Sequence, residues 1–117
     1  MQINEMDMGD LRPIDGYGPG YFRIGGERYE GAILLVGGEV TPWEGLAARE
    51  ALLALAGEVD VILFGMGAEI AHLPGDLRAE IEGAGMGAEV MNSPAACRTW
   101  NILAAEGRRV AMAALPM

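Results

Sequence analysis

The sequence predicts an α/β domain with a largely parallel sheet covered by helices and entered through an N-terminal β-hairpin. Three observations carry this. Strand-length apolar runs alternate with helix-length stretches along the chain. Three strand candidates, Gly31 to Val36, Val61 to Phe64 and Val110 to Leu115, are continuous apolar runs, the pattern of strands buried on both faces. Tyr21 to Ile24 and Glu27 to Glu30 flank Gly25-Gly26, and paired glycines supply the positive φ that a two-residue hairpin turn needs.

Taken in order, residues 1 to 20 open with a short apolar–polar alternation and close with Asp15-Gly16-Tyr17-Gly18-Pro19-Gly20, a turn-rich loop. The hairpin follows. Its second strand can continue into Gly31 to Val36, which Gly37-Gly38 ends. Thr41-Pro42-Trp43-Glu44 reads as a helix start, with Thr41 at the N-cap, Pro42 in the first helical position and Glu44 completing a capping box. That helix runs on to Gly57. Val61 to Phe64 is a strand, Pro74 to Glu82 a short helix with Leu77 and Ile81 on one face, and Ala88 to Met91 a strand. Ser93-Pro94, again a cap followed by proline, starts the last helix, Gly107 ends it, and Val110 to Leu115 is the last strand. The body therefore reads β-α-β-α-β-α-β, in one domain over residues 1–117.

Composition bounds the function. The chain has 117 residues, 51% hydrophobic and 21% charged, as a globular domain should. Its formal net charge is −9, a surface that repels phosphate backbones and anionic lipid, so nucleic-acid binding is not expected. No apolar run reaches the roughly 18–20 residues of a spanning helix, and membrane insertion is not expected. The first residues carry acids and no apolar stretch, which is neither a secretory signal nor a transit peptide. With a single cysteine, Cys97, a reducing, cytoplasmic location is expected. All eight basic residues are arginine, which removes a P-loop lysine and a Schiff-base lysine. His72, Ser93 and Cys97 are the one histidine, serine and cysteine, too few for a His/Cys metal site, and no cofactor or metal is expected.

Two features suggest chemistry. Val61 to Phe64 runs into Gly65-Met66-Gly67 at the carboxyl end of a strand, where ligands of α/β sheets sit. As a dinucleotide motif it fails: Ile70 occupies the place of the third glycine, the next helix starts only at Pro74, and Glu69 would repel a pyrophosphate. The glycines then serve a tight strand exit and close packing, with a positive φ or a close backbone contact expected at Gly67. The second feature is His72 with Ser93 or Cys97 as base and nucleophile at the same edge. No Gly-x-Ser-x-Gly elbow surrounds Ser93, which is read as a plain N-cap, and Cys97 as a packing residue. On a helical wheel, Ala95, Ala96, Trp100, Ile102 and Leu103 form the core side of the last helix. Arg98 and Asn101 share the opposite arc, where no core duty is evident, and Cys97 stands at its edge.

The segments Phe64-Gly65-Met66-Gly67, Leu73-Pro74, Val90-Met91-Asn92-Ser93, Ala95 to Asn101 (AACRTWN), Glu106 to Val110 and Ala113 to Pro116, with the Trp43 helix start, resemble a small-domain family. Its members include the mitochondrial respiratory complex I assembly factor 3, an adipogenesis-associated cytosolic protein and many bacterial and archaeal proteins. The family usually has a small hydroxyl residue where Met66 stands, an acid and threonine at Asn92-Ser93, and Tyr or Phe at Trp100. The resemblance implies a three-layer α/β fold with a mixed sheet and no established enzyme activity. It implies an accessory or assembly-factor-like protein acting through contacts with another protein. The alternative is a small-molecule-binding protein or enzyme with a pocket at the carboxyl edge of the sheet. The expected pocket or partner surface comprises Gly65, Met66, Gly67, Asn92, Ser93, Arg98 and Asn101; a homo-oligomer is left open.

Overall fold

The computed structural model describes residues 13–69 and 71–117. The alternation at the start of the chain and Ile70 lie outside the described residues. Among the described residues, eight strands and three helices follow in the order β1 (Ile14–Gly18), β2 (Tyr21–Ile24), β3 (Glu27–Glu30), β4 (Ile33–Val36), β5 (Glu39–Pro42), α1 (Arg49–Leu53), β6 (Val61–Met66), α2 (Gly75–Gly83), β7 (Gly87–Met91), α3 (Ser93–Ala105) and β8 (Val110–Leu115).

The first three strands form an antiparallel sheet in the order β1-β2-β3. The expected hairpin is β2–β3, with Ile24 opposite Glu27 and both Gly25 and Gly26 at positive φ. The turn-rich Asp15–Gly20 segment is not a loop: most of it is β1, which pairs with β2 and adds a third strand. Polar and glycine residues on its outer face hid it, because only Ile14 is buried. Nor does Gly31 to Val36 continue the hairpin. Gly31 turns at φ +84° and β4 leaves for a second sheet.

That second sheet has the order β5-β4-β8-β6-β7. It is mixed: β6 runs parallel to β7 and β8, while β4 runs antiparallel to β5 and β8. The apolar run of β4 thus reports burial on two faces, a condition that an antiparallel strand meets when both faces are covered.

Two clusters make the three layers. On one face Leu34, Ile62, Phe64, Ala111 and Ala113 pack against Trp43, Leu52 of α1 and Leu77 and Ile81 of α2. On the other, Ile33, Leu35, Leu63, Met112 and Ala114 pack against Ala96, Cys97, Trp100 and Ala104 of α3 and against Ile14, Phe22 and Ile24 of the small sheet. The buried positions of α3 therefore step through Ser93, Ala96, Cys97, Trp100 and Ala104. This stripe is rotated from the expected one: Cys97 lies in the core and Ile102 is exposed.

The largest departure from expectation is at Thr41. Residues Glu39–Pro42 are not a helix start but β5, with Thr41 opposite Leu34 and Pro42 opposite Ile33. Thr41 Oγ1 donates to the Leu34 carbonyl at 3.5 Å instead of capping a helix, and Trp43 N donates to the Ala32 carbonyl at 3.0 Å, carrying the pairing one residue further. Gly45, at φ +99°, then forbids a helix through 42–48, so only Arg49–Leu53 is helical. A cap contributes about 1 kcal/mol, less than the strand pairing and the burial of Trp43 against Phe64 together.

Candidate functional site

Strand β6 extends to Met66, so Gly65 is still within the sheet, beside Ala114 of β8 and Met91 of β7. Alternation along the strand sends Phe64 and Met66 to the α1–α2 face and Gly65 to the α3 face. The start of α3 lies on Gly65. A Cβ there would meet Ser93 Oγ at 2.8 Å, Ser93 Cα at 3.0 Å and the Ala114 Cβ at 3.2 Å. Gly67, one residue past the strand, turns at φ +89°. The first glycine thus admits the helix and the second reverses the chain around it.

Ser93 closes this junction. It is fully buried. Its N–H donates to the Gly67 carbonyl at 2.7 Å, its Oγ accepts from Gly67 N at 2.9 Å, and the same hydroxyl donates to the Leu115 carbonyl at 2.5 Å. One side chain ties the end of β6, the end of β8 and the first turn of α3. Ser93 is not the N-cap; Asn92 is, with Oδ1 accepting from Ala95 N at 2.8 Å and its carbonyl accepting from Ala96 N at 3.0 Å. Pro94 has no N–H to offer. The donors of the first turn are therefore committed within the chain, and the arrangement that would cradle an anion is filled by the protein itself.

The same bonds decide the nucleophile question. The Ser93 hydroxyl proton points to Leu115 O, inside the fold. Cys97 is 2% exposed, and burial pushes its thiol up to about 12, with the nearby Arg98 offsetting only part of this. His72 is exposed on the loop before α2. These three residues have the environments of two structural groups and a solvated side chain.

Arg98 and Asn101 do not share one free face. Arg98 is exposed. Asn101 faces β1: its Oδ1 accepts from Ile14 N at 2.9 Å and its Nδ2 donates to Ile14 O at 3.0 Å. The reading of Asn101 as a residue without structural duty is thus corrected: its amide continues the ladder of the small sheet onto α3. Met66 and Asn92 are half-buried at the edge.

Sequence reasoning missed a second feature of this edge. Pro42 stands opposite Ile33, and Ile33 stands opposite Ala114, level with Gly65. On the α1–α2 side of that level lies a cleft of about 250 Å³ lined by Pro42, Trp43, Glu44, Ala48, Glu50 and Ala51. Local sequence rules put Trp43 at a helix start; the strand pairing of Thr41 makes it a cleft wall instead. Beside it Arg49 bridges α1 to α2 through Asp76 at 2.7 Å and Glu80 at 2.6 Å, and its hydrogen bond holds the Asp76 carboxyl below the usual carboxylate range. At the other end of the sheet Arg109 does the same for Asp60 at 2.7 Å. Among the described residues no cluster of three or more His, Cys, Asp or Glu is placed to hold a metal ion, and no helix is long and apolar enough to cross a membrane.

Comparison with known proteins agrees with this architecture. The family described as protein of unknown function (DUF498/DUF598) matches residues 14–115. An uncharacterized protein of Rhodobacter capsulatus is 52% identical over 90% of this chain and 85% of its own length. The NADH dehydrogenase [ubiquinone] 1 alpha subcomplex assembly factor 3 of Danio rerio is 26% identical over 88% of this chain and 63% of its own length. Among solved structures, the crystal structure of a Bordetella parapertussis protein superposes with a TM-score of 0.82 at 33% identity, covering 92% of this chain and 97% of that one.

Proposed function

The chain belongs to the DUF498/DUF598 family, and we propose that it is a non-enzymatic accessory protein of assembly-factor type that works by contact with another protein. The observation that carries this reading is the closure of the carboxyl edge. Where α/β proteins commonly hold a ligand, the donors of Gly67, Ser93, Ala95 and Ala96 are bonded to acceptors on Ser93, Gly67, Leu115 and Asn92 of the same chain. The groups that would carry nucleophilic chemistry are buried with their protons held. The name of the Danio rerio relative supports assembly of a larger complex as the direction. Exposed Arg98 and half-buried Met66 and Asn92 are the parts of the edge left to meet a partner.

Affinity purification of the tagged chain from its source organism, with cross-linking and mass spectrometry, tests this reading. A reproducible protein partner recovered in near-stoichiometric yield is expected. Native mass spectra that show a bound metabolite and no protein partner would replace it with the alternative, a small-molecule-binding protein or enzyme.

A further inference from the structure

The outer face of the small sheet carries an arrangement that the fold does not need. Ile14, Phe22 and Ile24 turn inward to the core, so alternation sends Tyr21 and Arg23 of β2 and Arg28 and Glu30 of β3 outward. Arg23 stands directly opposite Arg28. Gly31 N donates to the Gly20 carbonyl, and alternation from that bond makes Arg23–Arg28 a close, non-hydrogen-bonded pair. Like charges so placed repel. Arg28 is fixed by two neighbours: its guanidinium lies 4.0 Å from the Tyr21 ring centroid, and its Nε pairs with Glu30 at 3.2 Å. Its two terminal nitrogens take no part in that pair. Tyr21 is held in turn by lying across Gly18, where a Cβ would meet the ring at 2.5 Å. Arg23 is exposed and has no ion pair among the described residues. Beside it on β1 stands Gly16, where a Cβ would have nothing within 4 Å. Two guanidinium groups, one fixed and one unpaired, thus stand together over an open step in the sheet.

What fits this face is an oxygen acid placed between the two arginines, where it offsets their repulsion. A long polyanion such as a nucleic acid would run past them onto a chain of formal net charge −9. A short acidic stretch of a protein avoids this: one carboxylate presents two oxygens in a plane, the shape that a guanidinium fork matches. We propose that the outer face of the small sheet docks an acidic segment of a partner protein through Arg23 and Arg28. The docked carboxylate accepts from Arg23 and from the terminal nitrogens of Arg28, and the open step at Gly16 admits the segment's main chain. The acidic surroundings limit the contact to these two residues and so make it selective. This inference rests on the reading of the protein as one that acts through protein contacts.

The test selects a random linear peptide library displayed on phage against the immobilised chain. The selected peptides should carry Asp or Glu. A synthetic copy of the best one should lose about tenfold in affinity on Arg23→Gln, the value of one charge-assisted hydrogen bond, and less on Arg23→Lys. The free Arg23→Gln chain should melt no lower than the parent, and slightly higher if anything, because the facing charges no longer repel. A residue with a structural duty would instead lose stability and binding together. In nitrogen-15 NMR spectra of the unaltered chain, the peptide should move the Nε signals of Arg23 and Arg28 and leave those of Arg49 and Arg109 in place. A single-stranded DNA oligonucleotide should move none of them. Selected peptides without acidic residues, undiminished binding to Arg23→Gln, a variant that melts well below the parent, unmoved Arg23 and Arg28 signals, or equal binding of the oligonucleotide would each overturn the proposal. A native partner recovered equally well by the parent and Arg23→Gln overturns the docking face but leaves the protein-contact reading intact. Failure to recover any partner, with peptides behaving as expected, overturns that reading and leaves the docking face.

Discussion

Two places on one edge of the large sheet have opposite characters. At Gly65, Gly67 and Ser93, on the α3 face, each polar group has found a partner within the chain, and the helix packs so closely that a single methyl group would collide. At Trp43, on the α1–α2 face, a buried donor and the two exposed carboxylates of Glu44 and Glu50 have no partner among the described residues. The first has the sequence features usually associated with ligands, Gly-x-Gly after a strand and a lone serine at a helix start. The second has none of them. Chemistry-bearing residue types therefore point to places where backbones meet as readily as to places where ligands bind. The distinguishing property is whether the polar groups are satisfied.

The comparison is sharpest in thiol reactivity. Cys97 belongs to the closed side, and a thiol raised from 9.0 to about 12 carries roughly a thousandfold less thiolate at neutral pH. Native protein should be alkylated by iodoacetamide at no more than about a thousandth of the rate seen in denaturant. Labelling at the rate of a free thiol would show that this side opens readily. A raised folded value also sets the sign of the pH effect. The contribution of Cys97 is complete below its unfolded value and declines as pH rises through the interval from about 9 to about 12.

Among stability effects, Gly65→Val should be the largest. Branches added where even a Cβ would lie 2.8 Å from Ser93 Oγ and 3.0 Å from its Cα must push α3 off the sheet. We expect a loss on the order of 3 kcal/mol or more, read by thermal or urea denaturation. A variant that melts with the parent would mean that the helix start is loosely seated. Ser93→Ala comes next. It leaves Gly67 N–H and the Leu115 carbonyl buried without their partner, at a cost of about 2 kcal/mol. Ser93→Thr, which keeps the hydroxyl, should recover part of that loss only if the junction has room for a methyl group.

Asn101→Ala should cost about 1 kcal/mol and act locally, because the amide bonds both backbone groups of Ile14. Hydrogen exchange should accelerate at Ile14 and its neighbours in β1 while the large sheet stays protected. Uniform acceleration across the chain would show that the small sheet and the large one unfold as a unit. Arg98→Ala should be the smallest, within about 0.5 kcal/mol of the parent, since its side chain is exposed. A larger loss would give Arg98 a place in the closed side after all.

Much of this was legible along the chain. The hairpin at Gly25-Gly26, a strand over residues 61–64, a helix over residues 74–82, the last helix and the last strand all follow from apolar period and turn residues, which act over a few positions; that the strand runs on through Gly65 to Met66 does not. The positive φ of Gly67 followed from a strand that must turn at once. The errors share one cause. Thr41-Pro42 is a good helix cap by local rules, but Leu34 and Ala32 were available as strand partners, and nothing near Thr41 in sequence announces them. Asn101 looked idle because its partner, Ile14, is 87 residues away. Ser93 looked like a cap because its acceptor sits on the last strand.

The sequence by itself determined which segments are strands and helices for most of the body, that the sheet is covered on both faces, and that the surface is acidic. Those properties depend on residue type and on spacing of a few positions. The tertiary structure alone decided where β4 and β5 pair, which face of α3 is buried, that Gly65 and Ser93 are a clamp and not a ligand site, and that Trp43 is left with an open donor. Each of these depends on which distant groups arrive within hydrogen-bonding distance, and the cost of a buried polar group is settled only when its partner is known.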